Sequence, residues 1–281
     1  EHPNLAPLEL DLKRLLGAWF DVGLLQLEEI NWGSSAELLE KLIAYEAVHA
    51  IQSWTDLKNR LDSDRRCFAF FHPNMPDEPL IFVEVALVKG MANNVQALLD
   101  ESAPLEDIRL ADTAIFYSIS NAQKGLSGIS FGNFLIKSVV KKLQQEFPQL
   151  KQFATLSPIP GFCRWLNSTD AVEESDLLGQ GSMSSSSEQL QKLAAHYLVE
   201  QKQKRNDKHA RDPVAHFHLS NGAKLERLNW MADSSDNGVK QSAGMMVNYL
   251  YELPHIESRS QSYSADGKVA VSSSVEKHLN S

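Results

Sequence analysis

Residues 113–165 decide the fold, and they open with TAIFYSIS at 113–120. This segment is short, β-branched and aromatic, which is typical of a half-buried strand. The loop after it is rich in glycine, with Gly125, Gly128 and Gly132. Apolar residues then recur at helical spacing over 134–143, and Pro148 ends the helix. The stretch therefore predicts a strand, a Gly-rich loop, an amphipathic helix and a second strand that leads into SPIPGF at 157–162.

A strand that passes through a Gly-rich loop into a helix can bind an anion. Glycines let backbone N–H groups approach a ligand closely, and the helix dipole favours negative charge at that end. An ordinary βα connection with a loose turn explains the same glycines equally well. The loop has neither the Gly-Lys-Ser/Thr of a Walker motif nor the dinucleotide GxGxxG. A nucleotide-bearing ligand held mainly by its pyrophosphate fits it.

Composition and charge exclude some classes of function. The 281 residues can form one large or two small domains, and 43% hydrophobic with 22% charged residues is ordinary for a globular protein. The net charge of −9 argues against a nucleic-acid partner, because a protein that binds nucleic acid usually carries a basic stripe. A polyanionic ligand needs a local positive potential, and the lysines near the loop could supply it: Lys124, Lys137, Lys141 and Lys142. A solvated helix face is the better explanation of the last two.

The cysteine count and the hydropathy pattern bear on location. Cys67 and Cys163 imply no disulfide framework and fit a reducing compartment, and we expect both to be buried, unreactive thiols. No apolar run reaches the about 18 residues that a membrane-spanning helix needs, so no membrane partner is expected. Cytoplasm is the default location.

Local patterns predict the elements that precede the central stretch. Helices are expected up to about Ala18, after a cap at Ser35, at 54–61 and at 94–100, with a strand or short helix after Gly23. Paired strands are expected at 67–71 and 80–88, joined by a loop at 72–77. Together with the strand at 113–120, these elements predict an α+β sheet with helices on its faces.

Residues 167–212 are more polar and predict an insertion with a flexible loop at 182–187, a helix at 190–204 and a polar segment at 201–211. Alternation then predicts a strand at 214–219, a hairpin turn at Asn221–Gly222 and a returning strand at 224–230. The last core strand is predicted at 245–253. From Ser258 onward the Ser-rich composition predicts a disordered tail.

Two kinds of residue could carry chemistry. His216 and His218 lie two apart on the expected strand, so both should point to one face. They could bind a metal, but no third ligand lies at suitable spacing, and a satisfied structural histidine is an alternative for each. Ser157 follows a strand and precedes a proline, as in a simple strand-ending turn. No Gly-x-Ser-x-Gly elbow surrounds it, so a serine hydrolase is poorly supported.

Several of these motifs, in this order and spacing, resemble the malonyl-CoA decarboxylase family. They are FYSIS (116–120), GLSG (125–128) with FLIK (134–137), LSPIPGF (156–162), PVAHFHLSNGA (213–223), and NWMAD (229–233) with NYLY (248–251). The resemblance runs from near Phe20 to Tyr251. It implies an α+β acetyltransferase-like (GNAT) fold, a mixed sheet flanked by helices, whose Gly-rich loop and following helix hold the pyrophosphate of CoA.

The resemblance also implies a domain organisation. Family members carry a helical N-terminal domain that mediates oligomerisation, so residues 1–18 are expected to be the end of that domain, in a truncated chain or a short form. Residues 19–257 would form the catalytic domain with the insertion at 167–212, and residues 258–281 a polar tail. A homo-oligomer is expected when the helical domain is present.

Site residues follow from the same resemblance. His218 matches the family's catalytic histidine and Ser157 its active-site serine. The substrate-binding positions are predicted to be Ser118, Gly125, Gly128, Ser130, Gly132, Asn221 and Tyr251. The chain departs from the family at one position of the Gly-rich loop, where it has Ser130 and the family has a glutamate.

The implied reaction is decarboxylation of malonyl-CoA to acetyl-CoA and CO₂. The thioester carbonyl can accept the electrons that CO₂ leaves behind, so neither a metal nor a separate cofactor is expected, and CoA is part of the substrate. His218, with a pKa near neutrality, would protonate the enolate carbon. Two alternatives remain, a CoA-dependent acyltransferase of the same fold and a non-catalytic acyl-CoA-binding protein.

Overall fold

The computed structural model describes residues 5–20, 22–123, 132–168, 183–204 and 206–280. Its helices are α1 (Ala6–Trp19), α2 (Ala36–Tyr45), α3 (Trp54–Arg60), α4 (Val95–Leu99), α5 (Gly132–Glu146), α6 (Phe162–Leu166), α7 (Met183–Val199), α8 (Pro213–Ser220), α9 (Asp236–Ser242), α10 (Ile256–Asp266) and α11 (Ser273–Leu279). Its strands are β1 (Gln26–Ile30), β2 (Arg65–His72), β3 (Met75–Val88), β4 (Thr113–Asn121), β5 (Gln152–Thr155), β6 (Ser157–Pro158), β7 (Lys202–Gln203), β8 (Asn206–Ala210), β9 (Lys224–Asn229) and β10 (Met246–Leu250).

The chain divides into two compact units, one of residues 1–85 and 118–148 and one of residues 86–117 and 149–281. In the first unit the strand order is β1-β2-β3-β4, and β1 runs antiparallel to β2. Helix α2 begins where the Ser35 hydroxyl accepts the Leu38 N–H at 3.2 Å, as its sequence predicts. The core of this unit consists of Ile30, Leu39, Leu42, Ile51, Leu57, Cys67, Ala69, Phe71, Phe82 and Ala122.

A buried ion network ties α3 to β3 within the first unit. Arg60 Nε lies 2.7 Å from Asp56 Oδ1, and Arg60 Nη1 lies 3.2 Å from Glu84 Oε2. All three side chains are at most 6% exposed. Because removing one member would leave a buried charge without its counter-ion, the network fixes the position of α3 on the strand.

The second unit is organised around β10. Its strand order is β3-β4-β5-β10-β6, with β9 also paired to β10. Strands β4 and β5 run parallel, whereas β10 is antiparallel to β5, β6 and β9, so the sheet is mixed. Its apolar core consists of Ala86, Val95, Leu98, Ile115, Tyr117, Ala154, Leu156, Ala232, Met246 and Leu250.

Most predicted elements before residue 166 are confirmed. The strand at 113–120, the helix after the Gly-rich loop and the helices at 54–61 and 94–100 are present within a few residues of the predicted ends. The predicted loop at 72–77 is shorter, because β2 extends to His72 and β3 begins at Met75. Burial raises the pKa of both cysteines, but only Cys67 is fully buried, since Cys163 is partly exposed.

The prediction was wrong at three places in the later part of the chain. Residues 213–220 form helix α8 instead of a strand, so Asn221–Gly222 is not a hairpin turn. Residues 256–266 and 273–279 form helices α10 and α11 instead of a disordered tail. Helix α7 begins at Met183, inside the segment predicted as a flexible loop, and the polar segment after it forms the β7–β8 hairpin. Among the described residues, no helix combines the length and apolar character needed to cross a bilayer.

Candidate active site

Helix α8 carries both candidate histidines, and its two ends are fixed by the sequence. At the start, the Asp212 carboxylate accepts the N–H groups of Val214 and Ala215, each at 3.0 Å, and Pro213 occupies the first helical position. At the end, Gly222 adopts φ +79°, and its N–H donates to the Leu219 carbonyl. A Cβ at this glycine would lie 2.0 Å from the Ile256 carbonyl oxygen. The Asn-Gly pair therefore terminates a helix.

The helical backbone separates the two histidines. Residues two apart on a helix point about 200° apart, so the predicted shared face does not exist. His216 Nδ1 lies 2.9 Å from the Tyr263 hydroxyl, and its ring stacks on His209 with centroids 4.3 Å apart. His218 has different neighbours. The pair therefore does not form a two-histidine metal site.

His218 joins two other predicted site residues in one hydrogen-bonded chain. Its Nε2 lies 3.1 Å from Ser157 Oγ, although the two residues are 61 positions apart. Its Nδ1 lies 2.8 Å from the Tyr251 hydroxyl. The imidazole also stacks on Tyr249, with ring centroids 4.6 Å apart. The structure thus brings Ser157, His218 and Tyr251 together, which the sequence could not show from spacing.

The direction of the hydroxyl protons fixes the tautomer. Ser157 Oγ donates to Thr155 Oγ1 at 2.9 Å, so its only proton is committed away from the imidazole. The Ser157 oxygen must then accept from His218, whose proton lies on Nε2. Nδ1 is left as the acceptor of the Tyr251 hydroxyl. Since Thr155 Oγ1 also accepts the Tyr249 N–H at 3.2 Å, every donor in the chain points towards Thr155.

Burial determines the protonation of the site. His218 is 2% exposed, and burial lowers its pKa to about 3. The predicted near-neutral pKa is therefore wrong for this structure, because no counter-ion in the part of the chain that the structure describes offsets the loss of solvent around the imidazolium. Burial also raises the pKa of Tyr251 well above its usual value. At neutral pH both groups are uncharged hydrogen-bonding partners.

Asn221 and Ser118 occupy different surroundings. Asn221 is 5% exposed, and its Nδ2 has no hydrogen-bond acceptor among the described residues. Such a buried donor without an acceptor is rare. Ser118, in the first unit, donates to the Glu46 carboxylate at 2.7 Å and 2.8 Å to its two oxygens. The substrate-binding role of each stays a prediction.

The predicted anion loop is described only at its end. Gly125, Gly128 and Ser130 lie outside the described residues, and Gly132 begins helix α5. On β2, Phe70 stacks against Phe134 of this helix, with centroids 5.7 Å apart. This contact fixes the first turn of α5 on the sheet of the first unit.

Sequence reasoning missed Thr155, Tyr249 and Asp212. Thr155 lies two residues before Ser157, and alternation along an extended chain places their side chains on one face. Asp212 precedes a proline, which is a helix-start signal that the apparent alternation of the following residues obscured. Tyr249 carried no signal beyond a strand pattern.

Comparison with known proteins supports the family that the sequence motifs resemble. Residues 23–281 match the family model of the malonyl-CoA decarboxylase C-terminal domain. The chain belongs to the malonyl-CoA decarboxylase family. It is 40% identical to mitochondrial malonyl-CoA decarboxylase of Mus musculus over 98% of this chain and 63% of that protein. The Anser anser anser enzyme is 38% identical over 97% of this chain and 61% of that protein. The chain thus spans about three fifths of the length of these curated relatives.

Solved structures support the family and the fold. The malonyl-CoA decarboxylase of Agrobacterium vitis is 43% identical, with a TM-score of 0.92 over 99% of this chain and 73% of that chain. The Cupriavidus metallidurans decarboxylase is 49% identical, with a TM-score of 0.85 over 99% and 73%. The loading GNATL domain of CurA from Lyngbya majuscula is 14% identical, with a TM-score of 0.53 over 82% and 98%, and this likeness concerns the fold alone. The predicted α+β, GNAT-like fold is confirmed.

Proposed function

We propose that this chain converts malonyl-CoA to acetyl-CoA and CO₂. The observation that carries the proposal is the buried chain from Tyr251 through His218 to Ser157, in a member of the malonyl-CoA decarboxylase family. Such a site offers a proton carrier beside a hydroxyl, within a protein interior that excludes water. These are the requirements of a reaction that generates a carbanion and must protonate it.

The electrons move within the substrate. The bond between the carboxylate carbon and the α-carbon breaks, CO₂ leaves, and the electron pair spreads into the thioester carbonyl as an enolate. One proton added to the α-carbon gives acetyl-CoA, so the balance needs the substrate and a proton only. We propose that neither a metal nor a separate cofactor takes part, because the thioester already accepts the electrons.

The substrate supplies the negative counter-charge that favours protonation of His218. A malonyl carboxylate next to the buried imidazole favours the imidazolium, because an opposite charge within a few ångströms raises the pKa of a histidine. The proton is then taken up with the substrate and delivered to the α-carbon after CO₂ departs. Tyr251 holds the ring through Nδ1 and can rotate its hydroxyl to accept when that nitrogen becomes protonated.

Ser157 acts without covalent bonding in this scheme. In a serine hydrolase the serine donates its proton to the histidine, which prepares the oxygen for attack. Here the proton of Ser157 goes to Thr155, so the oxygen receives a hydrogen bond from the ring. This arrangement supports an orienting role, in which Ser157 holds the imidazole in place by accepting its Nε2–H.

Binding of the CoA portion rests on the Gly-rich loop and the start of α5. We propose that Gly125, Gly128, Ser130 and Gly132 present backbone N–H groups to the pyrophosphate, as the sequence predicts. Lys137 is exposed on α5 and supports a positive potential there. Asn221 and Tyr251 would contact the acyl end or the groups that hold it, and the substrate-binding role of Ser118 stays a prediction.

Assembly, location and other partners are further parts of the proposal. Helix α1 exposes Leu8, Leu12, Leu15 and Trp19, which supports a homo-oligomer formed through a helical domain. The net charge of −9 supports the absence of a nucleic-acid partner, and no membrane partner is proposed. The cytoplasmic location stays a prediction, and the curated relatives are named mitochondrial enzymes.

The test is incubation with malonyl-CoA, with acetyl-CoA and CO₂ both measured. We expect equal amounts of both products, and His218→Ala should lower kcat by about 10²–10⁴-fold. The matched control is His216→Ala, on the same helix but pointing away, which should keep kcat within a few-fold. Wild-type protein that forms no acetyl-CoA, or undiminished turnover in His218→Ala, would refute the proposal. Transfer of an acetyl group to an amine without CO₂ release would favour the acyltransferase.

A further inference from the structure

One buried carboxylate holds both partners of the Ser157–His218 pair. Asp212 is fully buried, and its Oδ1 accepts the N–H groups that open α8, the helix that carries His218. Its Oδ2 accepts the N–H of Gly161 at 3.2 Å. Gly161 lies four residues after Ser157. The two oxygens of a single side chain therefore connect the two segments that meet at the candidate site.

The connection to Ser157 is short and stiff. Pro158 and Pro160 fix φ near −65° at two of the positions between Ser157 and Gly161. A Cβ at position 161 would lie 2.1 Å from the Tyr197 hydroxyl and 3.4 Å from Asp212 Oδ2, so only glycine lets the backbone approach this closely. If the Asp212–Gly161 distance changed, Ser157 would therefore move as well, because the segment between Ser157 and Gly161 is too stiff to adjust.

The connection to His218 is equally direct. Asp212 caps the first turn of α8, and His218 lies in the second turn of the same short helix. The C-terminal end of this helix is held at Gly222. With both ends fixed, the position of the His218 ring depends on where Asp212 places the helix start.

We propose that Asp212 is a positioning residue that sets the 3.1 Å contact between Ser157 and His218 by holding Gly161 with one oxygen and capping α8 with the other. This inference rests on the proposed decarboxylation for its effect on turnover, but its effect on the contact is independent of the reaction. Asp212 touches the two backbone segments and acts through them.

Protonation of Asp212 would break the connection. Burial raises the pKa of this carboxyl to about 6, in spite of the backbone hydrogen bonds from Ala215, Gly161 and Val214. The groups that interact with its charge are the hydroxyls of Tyr197 and Tyr249. The guanidinium groups of Arg211 and Arg164 also act on Tyr197. Once protonated, the carboxyl offers one acceptor fewer, and the Gly161 N–H competes with the helix cap.

The pH profile separates Asp212 from His218. The free enzyme determines the pH dependence of kcat/KM. In the free enzyme the pKa of His218 is about 3, well below the pKa of about 6 at Asp212. Proton uptake by His218 with the substrate gives the same pH dependence in every variant that keeps His218. We therefore expect the ratio of wild-type kcat/KM to that of an Asp212 variant to fall below about pH 6, and Asp212 to account for that loss. The phosphate group of the substrate also titrates, but its effect is the same in wild type and in every variant. A difference between their pH profiles therefore reports on the protein.

The test uses Asp212→Asn and Asp212→Ser. Asparagine keeps the shape but turns an N–H₂ donor towards the Gly161 N–H, and serine keeps the helix cap but does not reach Gly161. We expect both to lower kcat by about 10²-fold, as a misplacement of about 1 Å does, with KM changed less than threefold and the acid loss near pH 6 absent. The matched control is Ser235→Ala, which removes the cap of α9, where Ser235 accepts the Gly238 N–H at 3.0 Å. It should keep both kcat and the profile.

A second measurement decides the inference without turnover. The His218 Nε2–H proton, followed by NMR, reports its hydrogen bond to Ser157. We expect this signal to shift or exchange faster in Asp212→Asn and Asp212→Ser and to stay unchanged in Ser235→Ala. An unchanged signal in both Asp212 variants would overturn the inference, as would wild-type kcat with the acid loss retained. Failure of the proposed function would instead appear as absent acetyl-CoA in the wild type, with the NMR comparison still decisive for Asp212.

Discussion

The substitution Gly161→Ala tests how closely the segment after Ser157 is packed. The added Cβ would lie 2.1 Å from the Tyr197 hydroxyl oxygen and 3.3 Å from Tyr197 Cζ. An ordinary contact begins near 3.4 Å, so one of the two groups must move by about 1.3 Å. Tyr197 has little freedom to move, because it is 2% exposed and its ring lies 5.2 Å from that of Trp165 and 5.9 Å from that of Phe162.

The expected cost is that of overpacking a buried site, about 1–3 kcal/mol in the free energy of unfolding. In the Tyr197→Phe background the hydroxyl is gone and the nearest atom is Cζ at 3.3 Å, which neighbouring atoms can accommodate by a small shift. The cost of Gly161→Ala should then fall below about 1 kcal/mol, which leaves a coupling of about 1–2 kcal/mol between the two positions.

The assay is urea unfolding of wild type, both single variants and the double variant, followed by tryptophan fluorescence and by circular dichroism. Gly33→Ala serves as the matched control, since a Cβ there meets only the exposed Asn31 side chain at 3.1 Å and should change the midpoint little. If Gly161→Ala costs the same in both Tyr197 backgrounds, the hydroxyl is not what excludes a side chain, and the reasoning about this close approach is wrong.

Two further predictions concern buried charge. In the unfolded chain His218 titrates near pH 6.5, whereas burial lowers its folded pKa to about 3, so the stability it contributes is present above pH 6.5 and lost as pH falls towards 3. The free energy of unfolding, measured with urea between pH 7 and pH 4, should fall by about 1.4 kcal/mol per pH unit below pH 6.5 in wild type. This loss should be absent in His218→Asn. Parallel curves for the two proteins would contradict the assignment. Arg60→Met should lower the free energy of unfolding by about 3–5 kcal/mol, because Asp56 and Glu84 would remain as buried charges without their counter-ion. The control Arg109→Ala breaks an exposed ion pair and should leave the urea midpoint unchanged. Equal effects of the two substitutions would argue against the buried network.

The sheet and the central helix could be predicted because their signals are local. The strand at 113–120 is β-branched and aromatic, and the stripe of α5 repeats at helical spacing over about three turns. The end of the chain lacked such a signal, since α10 and α11 are Ser-rich and bury few residues, among them Ile256, Tyr263 and Val275. Composition predicted disorder there, and only contacts with the rest of the second unit show why these helices form.

Helix α8 shows how a short element can mislead. Its eight residues PVAHFHLS include apolar side chains on every side, so the alternation of His216 and His218 with Phe217 and Leu219 imitated a strand. The following Asn-Gly then resembled a hairpin turn. The stronger signals were at the ends, an Asp-Pro start and a glycine just past the last turn. The family resemblance predicted that His218 and Ser157 belong to one site, and the two side chains do lie in contact. The strand interpretation wrongly placed His216 on the same face as His218.

The polar residues that complete the site stand where the sheet departs from regular pairing. Strand β10 pairs with β5 at Leu250 and Ala154 and with β6 at Val247 and Ser157. Between these pairs the Tyr249 N–H donates to Thr155 Oγ1, and the register of β10 against β9 shifts between Asn248 and Tyr249. The Thr155 hydroxyl oxygen also accepts from Ser157, which in turn fixes the proton of His218 on Nε2.

A regular ladder would satisfy the same backbone groups and leave Thr155 without this role. The orientation of the catalytic candidates therefore depends on a break in secondary structure, and patterns that predict regular structure carry no information about it. For the same reason Thr155→Val, which keeps the shape of the side chain and removes the acceptor, should release the Ser157 proton towards His218 and also remove the hydrogen bond from the Tyr249 N–H.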